Sequence, residues 1–330
     1  MHSGTSKISV IVPSYNQGQY IGETLASLVA QNYENLEIIV IDGGSTDQTV
    51  SVIGQYAGKI AYWVSEKDKG QSEAINKGFA KASGDIITWL NSDDLYEPGT
   101  LHKVTAAFEA DPSLTIWHGK SLLFGHNKPS QVIGLPADIA LHEYFPYMRF
   151  PQPSSFIRAE ALAAVLPVND ALHYAMDFEL VLKLLLNGGS IRRTDELLSR
   201  YRLHESSKSN QNLAFLKEWS SVVANVLYTM PAGRIYLDYL VSLGLAAKEK
   251  RLAYPHVLHF GEKELEDIFL QHLHLCYHSY YREVDRAMCE KISGFIKAHF
   301  PSFYTLNNYR KYNNRLKFIP KFVFRFIRTA

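Results

Sequence analysis

Short β-branched runs alternate with helix-periodic segments through the first third of the chain, and nothing else in the sequence constrains the fold as strongly. Ile8-Ser9-Val10-Ile11-Val12 is stopped by Pro13 and followed by Ser14-Tyr15-Asn16-Gln17-Gly18. Tyr20 to Gln31 then places Ile21, Leu25, Leu28 and Val29 at helical spacing. Leu36 to Ile41 reads as a second strand, ending at Asp42-Gly43-Gly44-Ser45-Thr46-Asp47, with a helix from about Gln48 to Tyr56 behind it. Ala61 to Ser65 is a third strand, Gln71 to Ala82 a third helix, and Ile86 to Leu90 a fourth strand that runs into Asn91-Ser92-Asp93-Asp94. This alternation predicts a mostly parallel sheet covered by helices on both faces. Such sheets bind ligands beyond the carboxyl ends of their strands. Here those ends carry Pro13-Ser14-Tyr15, Asp42-Gly43, Glu66-Lys67-Asp68 and Asn91-Ser92-Asp93-Asp94.

Asp93 and Asp94 are adjacent carboxylates that repel each other unless a cation or donor lies between them. A divalent cation holding a diphosphate is the natural occupant, since hard cations prefer carboxylate and phosphate oxygens; a solvated Asp-Asp turn is the alternative. No G-x-G-x-x-G loop follows the first strand, which argues against a dinucleotide site.

Read together, 11–49 (IVPSYNQGQY through GGSTDQT), 66–85 (EKDKGQSEAINKGFAKASGD) and LNSDD resemble the nucleotide-sugar domain of family 2 glycosyltransferases, inverting enzymes of the GT-A fold. The resemblance continues at Ala175-Met176-Asp177-Phe178-Glu179-Leu180 and at Tyr201-Arg202-Leu203-His204-Glu205-Ser206-Ser207-Lys208-Ser209. It implies a GT-A catalytic domain over residues 1–210, a helical C-terminal region over 211–330, and a UDP-sugar donor. It further implies that Pro13, Tyr15 and Asp42 line the nucleotide pocket, with Tyr15 stacked on uracil and Asp42 accepting the base imide N–H. Asp42 as a helix cap is the competing reading, a role that Asp47 or Thr46 fills better. Asp68, Gly70 and Asn76 match the segment closing over ribose and sugar, and Glu66 competes with Asp68 for that match.

The same resemblance assigns Asp94 and His204 to a Mn2+ or Mg2+ ion, with Asp93 on the sugar or a metal-bound water. Asn91 stands where many relatives have Asp, and Arg202 or Lys208 would touch phosphate. Asp177 is the expected general base, opening a helix whose dipole stabilises its carboxylate. A plain N-cap is the alternative, and Glu179 is the rival base. Relatives usually carry Glu-Asp where this chain has Met176-Asp177. Gln152-Pro153-Ser154-Ser155 and Trp117-His118-Gly119 fall where relatives build the acceptor side. A nucleotidyltransferase would want a basic Gly-rich loop near the first strand, and residues 13–20 hold no Lys or Arg. A non-catalytic sugar-nucleotide-binding module on the same fold is the third alternative, against which stands the joint retention of Asp42, Asp94, Asp177 and His204.

Charge is unevenly spread. The net charge is +1, yet nine Lys or Arg and no Asp or Glu follow Glu290, leaving −8 on the preceding residues. A basic end on an acidic body predicts an anionic surface as partner. A helix starting at Pro320 would place Phe322, Val323, Phe326 and Ile327 on one face with Lys321, Arg325 and Arg328 beside it, the pattern of an interfacial helix. The alternative is that these residues dock on the protein itself. Nothing in the tail resembles a nucleic-acid reader. A glycan or lipid-linked glycan is the expected acceptor. Cys276 and Cys289 lack metal or redox spacing, no secretory signal opens the chain, and no apolar stretch reaches the ~18 residues of a membrane span. The expected location is therefore cytoplasmic, peripheral at the inner face of a membrane. Residues from about Gln211 to His299 read as helical: Leu213 to Met230, Arg234 to Leu252, and a His- and Tyr-rich stretch from Glu262 to Phe300 whose His272 and His274 point to different helix faces.

Overall fold

β1 (Ile8–Ser14) is buried along its whole length. Its even positions, Ile8, Val10 and Val12, enter one apolar cluster with Leu25, Leu28, Val104 and Phe108. Ile11 faces the other way, where the helix over Gln71–Phe79 approaches so closely that a Cβ on Gly78 would lie 2.4 Å from Ile11 Cγ2. A strand packed on both faces must be apolar at nearly every position, which is what the β-branched run supplies. The computed structural model describes residues 5–125, 129–204, 212–247 and 252–318.

The described chain forms two compact units. The first comprises Met1–Ile139, Met148–Ser207 and Pro255–Leu258. After β1 come α1 (Ile21–Val29), β2 (Leu36–Asp42), α2 (Thr49–Gln55), β3 (Tyr62–Ser65), α3 (Gln71–Phe79), β4 (Ile86–Trp89), β5 (Leu95–Tyr96) and α4 (Thr100–Ala110). Then follow β6 (Leu114–Phe124), β7 (Gln131–Ile133), β8 (Ser155–Arg158), α5 (Ala159–Ala163), α6 (Met176–Leu186) and β9 (Ser190–Arg202). The strands make one sheet in the order β3-β2-β1-β4-β8-β6-β9-β5, with β7 on β6. β1 pairs in parallel with β2, from Ile8 opposite Leu36 to Ser14 opposite Asp42, and in parallel with β4, up to Ile11 opposite Trp89. β3 extends the parallel part. β8 is antiparallel to both β4 and β6, while β9 is parallel to β6 and antiparallel to β5. The segment 255–258 joins this unit because Val257 N–H donates to Leu186 C=O at the end of α6, at 2.7 Å.

The second unit comprises Ala140–Tyr147, Lys208–Tyr254 and His259–Ala330, and its described long elements are helices. They are α7 (Asn212–Thr229), α8 (Arg234–Leu243), α9 (Glu262–Arg282), α10 (Arg286–His299), α11 (Pro301–Leu306) and α12 (Tyr309–Phe318). The expected helix from Arg234 to Leu252 stops at Leu243, because Gly244 takes φ +76° and closes it with a left-handed cap. The expected run from Glu262 to Phe300 breaks at Val284, φ +58°, and Asp285 restarts it by accepting Met288 N–H at 3.0 Å. His272 is fully buried with Nδ1 on Pro146 C=O and Nε2 on Ser220 Oγ, both at 2.9 Å, so its ring nitrogens are spent on packing. Cys276 and Cys289 are buried free thiols. Among the described residues no helix is long and apolar enough to cross a membrane. The tail helix expected from Pro320 lies outside the described residues.

Glu37 on β2 joins three segments of the first unit. Its carboxylate accepts from Lys7 Nζ (2.6 Å), Ser9 Oγ (2.5 Å), Ser83 N–H (2.8 Å) and Ser83 Oγ (2.7 Å). Burial alone would raise its pKa; these donors outweigh burial and hold it at about 2, below its ordinary 4.5. The stability this pairing supplies is complete above pH 4.5 and is lost as pH falls through about 2. Glu37→Gln should cost about 1.5–3 kcal/mol at neutral pH, the scale of hydrogen bonds to a charged group. Urea melts should show the gap between wild type and variant closing between pH 4.5 and 2.

Candidate active site

The parallel register delivers the ends of β1, β2, β3 and β4 to one edge of the sheet. Ser14 C=O accepts Gly43 N–H at 2.8 Å, tying the first two ends together. Asn16, at φ +51°, turns the chain, donates its N–H to Ser45 Oγ (2.7 Å) and accepts Thr46 N–H (2.9 Å). Pro13 is buried in the strand, whereas Tyr15 stands 60 % exposed at its tip. Asp42 is fully buried. Its Oδ2 accepts Gly44 N–H (3.2 Å), Ser45 N–H (2.9 Å) and Ser65 Oγ (2.6 Å), and its Oδ1 accepts Ser45 Oγ (2.5 Å). A carboxylate has about four lone-pair sites, and these four donors occupy them, so Asp42 as folded is the organiser of the 43–47 loop and would have to exchange one of these donors to take a ligand. Asp68 presses on this loop: a Cβ on Gly43 would lie 2.8 Å from Asp68 Oδ2. Burial pushes the Asp68 carboxyl up from its ordinary value, and Gly70 N–H donates to it at 2.9 Å. Glu66, its rival, pairs instead with Lys77 at 2.8 Å. Gly70 sits at φ +127°, a conformation that favours glycine, immediately before α3.

The loop after β4 is closed from the far end of the sheet. Asp94 is fully buried, and its Oδ1 accepts the backbone N–H of Arg202 at 2.9 Å. Burial, with the Asp93 charge adding to it, pushes the Asp94 carboxyl well above the ordinary carboxylate range. Asp93 lies nearer the surface, with Oδ2 2.9 Å from His204 Nε2 and side-chain exposures of 18 % and 12 % respectively. Arg202 acts as a brace. Its guanidinium donates to Asp93 C=O (2.9 Å) and Glu23 (2.7 Å), and it lies over the Tyr20 and Phe124 rings at 4.9 and 4.5 Å. Tyr20 also packs on His204, ring centroids 4.9 Å apart. Tyr20 and Glu23 are contributors that sequence reading missed; their signal was their place directly after the 13–18 turn. Asn91 accepts from Gln71 Nε2 at 2.7 Å and turns its amide toward Asp94 at 3.3 Å.

Gln71 also begins the link to Asp177. Next to it, Ser72 Oγ donates to Leu172 C=O (2.9 Å) and to Met176 Sδ (2.8 Å), holding the start of α6 against the start of α3. Asp177 lies in the first turn of α6, partly exposed, with Oδ1 on Phe178 N–H at 2.7 Å. Glu179 is 2 % exposed and bound to Lys183 (2.9 Å) and Asn169 (3.1 Å), an ion pair committed to packing. Asn76 uses both ends of its amide on Val168, N–H and C=O, at 2.8 Å each, so it clips the 168 segment to α3. The expected acceptor walls differ more. Trp117 belongs to the apolar cluster, and His118 is 1 % exposed, stacked on Phe150 at 4.0 Å. Ser154 is buried among the Ser121 and Ser199 hydroxyls. β6 is covered on both faces, so its polar side chains point into the protein. Three buried atoms at the strand-end edge have no hydrogen-bond partner among the described residues: Ser14 Oγ, Gln17 Oε1, and Oε1 of Gln152, whose Nε2 binds Trp89 C=O at 2.8 Å. Unpaired buried polar atoms are costly and collect where a ligand completes them.

Among the described residues no group of three or more His, Cys, Asp and Glu is arranged to hold a metal by itself. The donor chemistry nevertheless fits a divalent cation that shares its shell with a diphosphate: one partly buried carboxylate and one imidazole, backed by a second carboxyl whose pKa burial raises. Asp93 Oδ2 and His204 Nε2 bind each other at 2.9 Å, so His204 would have to give up that contact to take a cation, with Asp94 buried beside the pair.

Residues 9–164 match the family model described as glycosyl transferase family 2. An uncharacterized glycosyltransferase of Nostoc sp. is 26 % identical over 254 residues, covering 73 % of this chain and 78 % of the relative. One of Rickettsia typhi is 29 % identical over 230 residues, covering 67 % and 71 %. Among solved structures, S. aureus TarS in complex with UDP superposes with TM-score 0.60 at 19 % identity, covering 94 % of this chain and 91 % of that one. The Pyrobaculum calidifontis mannosyltransferase PcManGT in complex with GDP-Man and Mn2+ gives 0.53 at 17 % identity, covering 99 % and 87 %. The α/β unit has the GT-A fold, with a helical region following it.

Asp42→Asn would replace one acceptor oxygen with a donor facing the donors of Ser45 and Ser65. Hydrogen exchange should show the Gly44 and Ser45 amides losing protection while the β1 amides keep theirs.

Proposed function

The chain belongs to glycosyl transferase family 2, and from that premise we propose that it is a metal-assisted inverting transferase moving a hexose from a UDP-sugar to a hydroxyl of a glycan or lipid-linked glycan acceptor in polysaccharide assembly. The observation that carries this is that Tyr15, the Asp42 loop and the Asp93–His204 pair follow strand ends on one sheet edge, while the start of α6, which carries Asp177, is held against the start of α3. TarS, crystallised with UDP and with UDP-GlcNAc, supports the donor class, and PcManGT with Mn2+ supports the cation.

In this reading Tyr15, already exposed, stacks on the uracil. Its rigid ring offers contact area at little entropic cost. Asp42 exchanges one of its loop donors for the base imide N–H, and the segment from Asp68 to Gly70 borders ribose and sugar. Asp93 and His204, with Asp94 behind them, hold the diphosphate end. A divalent cation bound there would offset charge that develops on the leaving diphosphate. Arg202 is a positioning residue that fixes the Asp93 backbone and the His204 segment. Asp177 takes the acceptor proton as the hydroxyl oxygen attacks the anomeric carbon from the face opposite the diphosphate. One bond forms as the glycosyl–phosphate bond breaks, so the product is inverted.

Three outcomes test this. EDTA should abolish transfer and Mn2+ or Mg2+ restore it; full turnover in excess chelator would refute the metal role. Asp177→Asn should keep UDP affinity while lowering kcat by roughly 10²–10⁴-fold, the usual value of general-base assistance, and NMR of the product should show inverted anomeric configuration. We further propose that the basic C-terminal end associates with an anionic membrane at its cytoplasmic face, each cation near the surface contributing about 1 kcal/mol. Deleting Lys317 to Ala330 should then abolish sedimentation with anionic vesicles at low salt and leave transfer to a soluble acceptor intact. Unchanged sedimentation would overturn that reading.

A further inference from the structure

The second unit holds a cleft of about 1040 Å³ bordered by α10, α11 and α12. Four cations line it, Lys297, Arg310, Lys311 and Arg315, and no carboxylate does. Among the described residues none of the four is ion-paired, and Arg315 touches only the neutral hydroxyl of Tyr281. The sequence leaves no local remedy, since no Asp or Glu follows Glu290. Cations gathered around one cleft repel each other. Arg310 and Lys311 are further disfavoured by lying in the first turn of α12, the positive end of its dipole.

This cationic surface is not the packing face of α12. Tyr309 and Leu316 are the residues it buries. Lys311, Asn314, Arg315 and Phe318 recur at i, i+3, i+4 and i+7, all on the cleft side. Phe318 is 79 % exposed, and Tyr304 and Pro301 add apolar surface beside the charges. A phosphate monoester carries about −1.5 to −2 charges, so four unpaired cations match two linked phosphates better than one. The two guanidinium forks suit phosphate oxygens. An exposed phenylalanine and a tyrosine beside them suit an apolar stem attached to those phosphates.

We propose that this cleft binds the diphosphate headgroup of an amphiphile, with the stem running over Tyr304 and Phe318. The inference rests on the reading of the acceptor as lipid-linked and deepens it: the cleft would grip the carrier while the glycan hydroxyl is presented elsewhere.

The test uses the full chain, with farnesyl diphosphate, farnesol and inorganic diphosphate as calorimetric probes in EDTA, and UDP with Mn2+ as a separate control. Wild type should bind farnesyl diphosphate at least tenfold more tightly than either other probe. Lys311→Gln/Arg315→Gln should weaken it at least tenfold and leave UDP affinity unchanged. Equal affinity for inorganic diphosphate would overturn the amphiphile, equal affinity for farnesol would overturn the phosphate contact, and an unchanged double variant would overturn the site. Should the double variant fail to fold, Lys297→Gln is read by the same criterion. Loss of binding to phosphatidylcholine vesicles containing phosphatidylglycerol, with farnesyl diphosphate affinity unchanged, would reassign the cleft to a bilayer surface and overturn the proposal. Failure to bind UDP in wild type would instead sink the transferase reading.

Discussion

β1 takes parallel partners on both edges, and the chemistry of the first unit follows from that. Pairing with β2 runs through Ser14 and Asp42, and pairing with β4 through Ile11 and Trp89. β1, β2 and β3 therefore finish level, β4 ends three residues earlier, and all four point their successors the same way. β1 is apolar on both faces, so its register is held by the parallel hydrogen bonds and by close contacts such as Gly78 on Ile11. The residues beyond that edge are free to be polar, acidic or aromatic because the sheet needs nothing from them.

Three acidic positions on the edge are handled by different physics. Asp42 is buried but surrounded by N–H and O–H donors, so its charge is answered locally. Asp94 is buried beside another acid and has two donors, the Arg202 N–H at 2.9 Å and the Asn91 amide at 3.3 Å, against four on Asp42. Asp93 keeps some exposure and an imidazole neighbour. Positive charge arriving at this place would meet two neighbouring carboxyls, one of them with its pKa raised by burial, whereas the Asp42 loop would gain little from it. The same sheet edge thus separates into a hydrogen-bonded half and an electrostatically unsatisfied half.

The strands and their order of use were legible in the sequence because buried parallel strands are written as continuous apolar runs. The first four strands begin within a residue of their expected starts. Helix ends were less so: Gly244 and Val284 take left-handed conformations that apolar spacing does not reveal. Polar residues on β6 misled in a different way. Trp117 and His118 look like a surface pattern, but this part of β6 is buried, His118 stacks on Phe150, and burial with the Arg193 charge adding to it brings the His118 pKa down to about 3. The Asp93–His204 pair joins residues 111 apart; periodicity carries no information at that separation, and only the family motifs brought the two into view. Arg202 was expected on phosphate, whereas its partners in the fold, Glu23 and Tyr20, are set by tertiary packing.

That separation of 111 residues has a bearing on how the protein is made. Domains tend to fold from their N-terminal end as synthesis proceeds. Strands β1 to β4 can pair once the first ninety or so residues have emerged, and the Asp42 loop is complete within them. The imidazole that meets Asp93, and the arginine that braces it, come only with the end of β9. A nascent chain would therefore present the Asp42 half of its edge well before the Asp93–His204 half, and would acquire the second half in a single late docking event.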